Sequence, residues 1–461
     1  MWQVAQCGTG VQTFDRPRFI FSFWELPALE RGWVRLQSTV NATTLYGGCE
    51  QAFRWEDGKG ALFRLMEDKR IHEGYTSGIW QAGNQFWEKA GVLISLMGDV
   101  QASIYTGQPF DKNVAPLIPN DPALLPALWA FASSPEFSDA LRAVDRSLKV
   151  TPSSLGKLSF DVSRWQMEAA KRYPDGLPPA TARSPDQWLF LGHPRHSDAP
   201  LQVAVARLLG YRWPEQHLDV LDGYADNDGI VCIPALMGER PASDRLTDLL
   251  AAAWGKDWHP QILTDLLAAI DHTGSLEEWL RDVFFKQHCD LFHRRPFIWH
   301  VWDGHREGFS ALVNYHKLDH DMLKSLTYTY LGDWIRTKEI EAKAGKSGAG
   351  DKLAKSNALQ KRLAAILEGE APLDIFVRWK PIEQQPIGWH PNVDDGVRLN
   401  IRPFLTVADV GVRGAGVLRW KPNIRWGKDP GKNPPGTPWG EVRDNDKHLS
   451  LAEKRKAREA V

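Results

Sequence analysis

Residues Arg294–Thr329 read RRPFIWHVWDGHREGFSALVNYHKLDHDMLKSLTYT, and their patterning sets the fold class. Phe297 and Trp299 alternate with Ile298 and His300, which is the period of a strand. Asp303-Gly304 supplies a turn that Gly308 ends, and a helix is expected to begin near His316 and run to about 341. Phe297, Trp299, Trp302 and Phe309 lie among Arg294, Arg295, Arg306 and Lys317. An aromatic strand with a basic turn suits a polyanion with exposed π-faces. It equally suits the Trp-rich edge of a core, which is the commoner case.

Downstream, the flexible AGKSGAGDK leads to a second helix at about 351–368, with Leu353, Leu359, Leu363, Ile366 and Leu367 on one face. Two helices joined by a Gly-rich tip predict an antiparallel pair. From 374 to 426 the text turns β-like, then passes through DPGKNPPGTPWG to a charged tail, EKRKAREAV, expected to be a fraying helix. Upstream, helices are predicted at about 201–209, 242–254, 259–271 and 275–289, the last with Ser275 as N-cap and Glu277-Glu278 in its first turn. DGYADNDG at 222–229 lacks the ligand spacing of an EF-hand and reads as a polar loop.

Closer to the start, Arg18–Trp24, Trp33–Leu36, Val92–Met97, Gln101–Tyr105 and Asn113–Ile118 are β-prone. Pro122–Val144 is helical, and Lys149–Thr151 with Lys157–Phe160 suggests a strand pair. The expected class is therefore mixed α+β. It comprises a strand-rich domain at 1–165, a linker or wrap at 166–200, and a mainly helical domain at 201–373 with its hairpin near 316–368. A β-rich basic segment at 374–445 and a charged tail at 446–461 complete it.

The 461 residues suffice for two or three domains with real cores. Hydrophobic content of 43% and charged content of 25% are ordinary for a globular protein. No long uncharged apolar window suggests a membrane span, MWQVAQCGTG does not resemble a secretion signal, and a cytoplasmic location is expected. Cys7, Cys49, Cys232 and Cys289 are far apart, as expected of reduced thiols. A net charge of −1 argues against a wholly basic nucleic-acid binder, but a local basic face is enough for phosphate contact.

Motifs for independent chemistry are sparse. His288, Cys289 and His293 do not share one helical face, which favours a structural role over zinc. No GxSxG or PD-(D/E)xK pattern occurs, and Asp394-Asp395 reads as a turn before Gly396. The candidates for DNA contact are basic residues amid aromatics and glycines. They are Arg16, Arg18, Lys59, Lys89, Lys112, Lys149 and Lys157, then Arg398, Arg402, Arg419, Lys421 and Arg425. From Arg398 to Arg425 a single acid, Asp409, stands among the cations.

Long strings of the chain resemble large adenine-specific DNA methyltransferases of bacterial defence systems, of the BREX and DISARM type, and the fused type II restriction-modification methylases. The strings are TGVQTFDRPRFIFSFWE (9–25), WEDGKG (55–60), ISLMGDVQASIYTGQPFDKNVAPLIP (94–119) and LPALWAFASSPEF (125–137). They continue with RPFIWHVWDGHREGFSALVNYHKLD (295–319), LTYTYLGDWI (326–335), DIFVRWKPIEQQPIGWHPNVDDGVRLNIRPF (374–404) and GAGVLRWKPNIRW (414–426). The resemblance implies target recognition by the strand-rich N-terminal part and double-stranded DNA as partner.

It also implies S-adenosylmethionine as cofactor, bound at a glycine turn, and an Asn/Asp-Pro-Pro-Tyr/Trp box that holds the flipped adenine. Neither is found here: Asn433-Pro434-Pro435-Gly436 lacks the aromatic, and no apolar strand precedes Gly8-Thr9-Gly10. In the family a TGxxT segment follows the catalytic box, so this chain is expected to begin just downstream of the catalytic domain. It would then hold no cofactor itself, be inactive alone, and work with an upstream catalytic segment. The rival expectations are a non-catalytic subunit that binds partner defence proteins, and a Trp-rich carbohydrate binder.

Overall fold

A computed structural model describes residues 1–30, 32–236, 238–410, 413–424 and 447–460. The chain forms two compact units, Met1–Phe23 with Ala28–Phe190, and Trp24–Pro27 with Leu191–Val461. The class is mixed α+β, as expected, and the boundary at Phe190 falls inside the expected wrap.

The first unit holds β1 (Ala5–Cys7), β2 (Ile20–Ser22), β3 (Trp33–Leu36), β4 (Gln51–Arg54), β5 (Gly91–Ser95), β6 (Ala102–Tyr105) and β7 (Val114–Pro119). These form two antiparallel sheets, ordered β1-β7-β5-β6 and β2-β4-β3. In the first sheet Val92 lies opposite both Leu117 and Ile104. Successive side chains of a strand point to opposite faces, so the two faces bury different residues. Val92, Ile94, Ala115 and Leu117 join Leu128, Phe131, Leu141 and Trp165 of the following helices. Leu93, Val114 and Ile118 pack instead with Phe86, Tyr105 and Phe110. Both faces are covered, which is why these strands lack a polar alternation. The second sheet lays Ile20, Leu36 and Phe53 on Leu62, Leu65 and Met66 of the Ala61–Glu73 helix.

Two expectations change in this unit. Arg18–Trp24 is no single strand: Pro17 starts a helical turn at Arg16–Phe19, β2 follows, and Phe23–Glu25 is a 3-10 turn. Lys149 makes one bridge to Met97, but Lys157–Phe160 is not its strand partner. Thr151 caps a short helix at Pro152–Gly156, and Asp161 caps Val162–Arg172, so the residues between are a helix-to-helix link.

The second unit contains helices at Pro200–Leu208, Ala242–Trp254, Pro260–Ala268, Leu276–Asp282 and Phe284–Leu291. Ser275 and Glu278 form a reciprocal capping box. Its sheet is β8 (Ile230–Cys232), β9 (Ile298–Trp302) and β10 (Ser310–Asn314), ordered β8-β10-β9 and antiparallel throughout. The Asp303–Gly308 turn is thus a hairpin. Asp303 accepts from the amides of His305 (3.0 Å) and Phe309 (2.8 Å) and from Ser356 Oγ (3.0 Å). A Cβ on Gly308 would lie 2.1 Å from Asp303 Oδ1, so the turn requires glycine there. The helix begins at His320, capped by Asp319, four residues later than expected, because the chain leaving β10 first turns over Asn314–Leu318, where the Lys317 and Leu318 amides donate to the Asn314 and Tyr315 carbonyls.

The helical hairpin is present: His320–Ser325, a π-helical turn at Leu326–Tyr330 and Leu331–Lys343 pack against Ala349–Glu368. Gln360 Nε2 donates to the Thr327 carbonyl at 3.0 Å, serving the backbone that the π-turn displaces. Among the described residues beyond 374, the expected β character is reduced to one bridge, Leu418 to Val301 on β9. Short helices occupy Val397–Asn400 and Arg402–Thr406, and Gln385 clamps both main-chain groups of Val377. Prolines at 381, 386, 391 and 403 remove the donors a ladder would need. The tail helix, Leu451–Glu459, is docked rather than frayed: Lys454 is fully buried and donates to the carbonyls of Ile375 (3.2 Å) and Pro386 (2.8 Å).

Candidate nucleic-acid interface

In the first unit, Trp55 leaves β4 and meets Trp80 (centroids 5.7 Å apart) and Trp87 edge-on (5.1 Å, 83°). Phe63 of the Ala61–Glu73 helix adds a ring 6.0 Å from Trp80. Phe14, Tyr75 and these three indoles pack partly buried on the second sheet's core, so each ring keeps an accessible portion. The rings come from scattered positions between Phe14 and Trp87, so no local period reveals them.

Backbone conformation there is unusual. Phe14, Glu56, Asp57 and Glu88 are four of the seven non-glycine residues with positive φ among the described residues. Such conformations cost on the order of 1–3 kcal/mol each and concentrate at functional sites. Glu56 repays part of this by accepting the Ala61 amide at 2.7 Å and an Arg54 ion pair at 3.3 Å. Gly58, at φ +71°, turns against Trp55, whose Cζ2 would lie 2.9 Å from a Cβ there.

Four of the sequence candidates border this cluster. Lys59 follows Gly58, and Lys89 lies two residues after Trp87; both are exposed. Arg18 lies 5.0 Å over Phe19, a member of the same core. Arg16, itself exposed, is tied to Asp111 (3.1 Å) and Gln51 (2.7 Å). Lys112, exposed, follows Asp111. Lys149 and Lys157 are exposed too, but they flank the Pro152–Gly156 helix, part of the other core. Arg64, next to Phe63 and exposed, belongs with the cluster although the sequence reading passed over it. Its neighbour's aromatic ring was the available signal.

The C-terminal candidates are used inside the second unit. Arg402 is 5% exposed; it donates to Lys447 O (3.1 Å) and meets His448 Nε2 (2.9 Å). His448 Nδ1 is 2.6 Å from Asp374, which also receives the Leu449 amide (3.0 Å) and has Lys454 Nζ 3.6 Å away. Arg419 pairs with Asp282 at 2.5 Å and stacks 3.8 Å over Trp302; burial lowers its pKa despite that carboxylate. Lys421 binds Asp409 and the Val407 carbonyl. Arg398 is half-buried on the Val397–Asn400 helix. Arg425 and the Asn433–Gly436 tetrapeptide lie outside the described residues.

His288, His300 and His316 are buried structural histidines. His288 Nδ1 meets Gln202 Oε1 at 3.2 Å and its Nε2 accepts the Ile298 amide at 3.1 Å. Burial holds His288 and His300 down to about 3 and His316 to about 4, so all three are neutral near pH 7.

No family model matches the chain. Over 173 residues, 35% of its length, it is 24% identical to the adenine-specific methyltransferase PglX of Lacticaseibacillus casei (strain Zhang). The match spans only 14% of that relative. Among the described residues no helix is long and apolar enough to cross a membrane.

Proposed function

We propose that this chain is a DNA-engaging, target-recognition part of an adenine-specific DNA methyltransferase system in bacterial phage defence. In this reading the first unit lies on duplex DNA through Arg18, Lys59, Arg64 and Lys89 around the half-buried indoles. The cations neutralise phosphates, and the aromatic edges and strained turns bring backbone and rings close to the groove. The single observation that carries the reading is the placement of exposed Lys59, Arg64 and Lys89, with half-buried Arg18, and of strained turns beside one aromatic cluster in the unit expected to choose the DNA site. The distant similarity to PglX supports the methyltransferase context.

Methyl transfer then falls to a catalytic segment that binds S-adenosylmethionine. The test is fluorescence anisotropy with a labelled duplex. Binding is expected at 50 mM salt, falling steeply by 200 mM. A chain that leaves the duplex unbound at 50 mM overturns the reading.

A second reading, a subunit that binds partner defence proteins, is favoured by Leu218 and Val220. They stand 79% and 68% exposed within three residues of the second unit. Co-purification with a methyltransferase segment, lost on Leu218→Ser and Val220→Ser, distinguishes it.

A further inference from the structure

In the second unit a pocket of about 230 Å³ opens between the C-terminal end of the Pro200–Leu208 helix with the turn to Arg212, the segment from Asp222 to Asn227, and Lys317. Its construction centres on Lys317. The side chain threads between Gly210 (φ +74°) and Gly229 (φ +76°). A Cβ on Gly210 would lie 2.5 Å from Lys317 Nζ, and one on Gly229 would lie 2.9 Å from its Cδ. Both glycines therefore leave space that the lysine fills. Its ammonium donates to the carbonyls of Asp226 (2.8 Å) and Asn227 (3.3 Å), which fixes its direction and leaves one N–H.

The charged groups lining the pocket are Arg207, Arg212 and Lys317 against Asp222 and Asp226, a surplus of one positive charge. The arginine charges are already answered. Arg207, 2% exposed, forks onto Asp219 (2.6 and 3.2 Å) and approaches Asp222 at 3.4 Å. Arg212 spends Nη1 on Asp222 at 3.0 Å, and its side chain is 44% exposed. Asp226 is answered by Arg245 at 2.8 Å. Lys317 alone among the lining cations is held by carbonyls instead of a carboxylate.

We infer that this pocket seats one phosphate group, through the remaining Lys317 N–H and the outer edge of the Arg212 guanidinium. An ammonium and a guanidinium edge offer several convergent donors, the arrangement that a tetrahedral oxyanion with four acceptor oxygens satisfies. The volume exceeds what one such group fills, so it can arrive attached to a larger molecule. Its two sources are a DNA phosphodiester and a free phosphate compound. The inference does not depend on the reading given to the first unit.

Calorimetric titration of the full chain with sodium phosphate, against sodium chloride at equal ionic strength, tests it. Wild-type protein is expected to bind phosphate, with Lys317→Met and Arg212→Gln each weakening it about tenfold or more. Arg212 is exposed enough that its variant folds; if Lys317→Met unfolds, Arg212→Gln decides. Equal phosphate binding by wild type and Arg212→Gln overturns the inference, as does no binding by wild type. In a second arm, displacement of phosphate by a short duplex assigns the site to a DNA phosphodiester. A duplex that binds without displacing phosphate assigns it to a free phosphate compound. A chain that binds phosphate but no duplex retains the pocket and loses the DNA-recognition reading.

Discussion

Around Trp55, Trp80 and Trp87 in the first unit, Lys59, Arg64 and Lys89 reach solvent beside half-buried rings. In the second unit Arg402, Arg419 and Lys421 point inward, onto a histidine, carbonyls and carboxylates. The difference lies in where the acceptors come from. Arg419 meets Asp282, 137 positions away, and Arg402 reaches His448, 46 positions away. A basic run poor in local acids can thus find its acceptors in distant parts of the chain, as Arg419 and Arg402 do, whereas scattered lysines on turns stay exposed. The two groups differ in surroundings as well: one holds a tail and an edge together, and the other is exposed to solvent.

Acid should separate the two units most strongly. His288, His300 and His316 are buried neutral, with folded pKa values of about 3, 3 and 4 against 6.5 unfolded. Below 6.5 the unfolded chain takes up protons that the folded unit refuses. Stability present above that pH is therefore lost as pH falls toward 4, by roughly 1.4 kcal/mol per pH unit for each histidine. The first unit contains one histidine, His72, which is exposed. Far- and near-UV circular dichroism on lowering pH from 7 to 4 is expected to show loss of structure in the second unit first. Hydrogen exchange resolves the two, and simultaneous loss would contradict this assignment.

The next largest effect is expected at the tail junction. Asp374→Ala leaves Lys454, 0% exposed, with its carbonyl contacts but without its carboxylate. Removing one partner of a buried pair costs about 3–5 kcal/mol, read as a fall in Tm of the second unit. An unchanged Tm would show that the carbonyls of Ile375 and Pro386 suffice. Gly308→Ala, which drives a Cβ into Asp303, is expected to cost about 1–3 kcal/mol through strain in the β9–β10 turn, measured by urea unfolding. Lys59→Ala and Lys89→Ala should lie within about 0.5 kcal/mol of wild type in the same assay, because neither side chain is buried.

Much of the architecture was legible before the structure. Trp33–Leu36, the three strands between Gly91 and Pro119, the 242–254 helix and the helical hairpin all follow from period, turn residues and caps. β10 was not legible, because Ser310–Asn314 is buried at every position and carries no alternation. Lys454 misled the reading of the tail: one lysine in a charged helix looks solvated until Asp374 and two carbonyls surround it. For the candidate interface, Lys59 and Lys89 were visible as charges on turns, but the indoles that unite them were not. Trp55, Trp80 and Trp87 meet only once the second sheet and the Ala61–Glu73 helix have packed.

The central claim is tested most directly by the salt dependence of duplex binding for wild type, Lys59→Ala/Lys89→Ala and Lys421→Ala. Plotting log affinity against log salt, each phosphate contact contributes a slope of about −0.9. The account predicts that the double variant flattens the slope by close to 2 and weakens binding at every sequence tested, while Lys421→Ala, bound to Asp409, leaves the slope unchanged. A double variant with the wild-type slope, or a loss that appears only in Lys421→Ala, would contradict it.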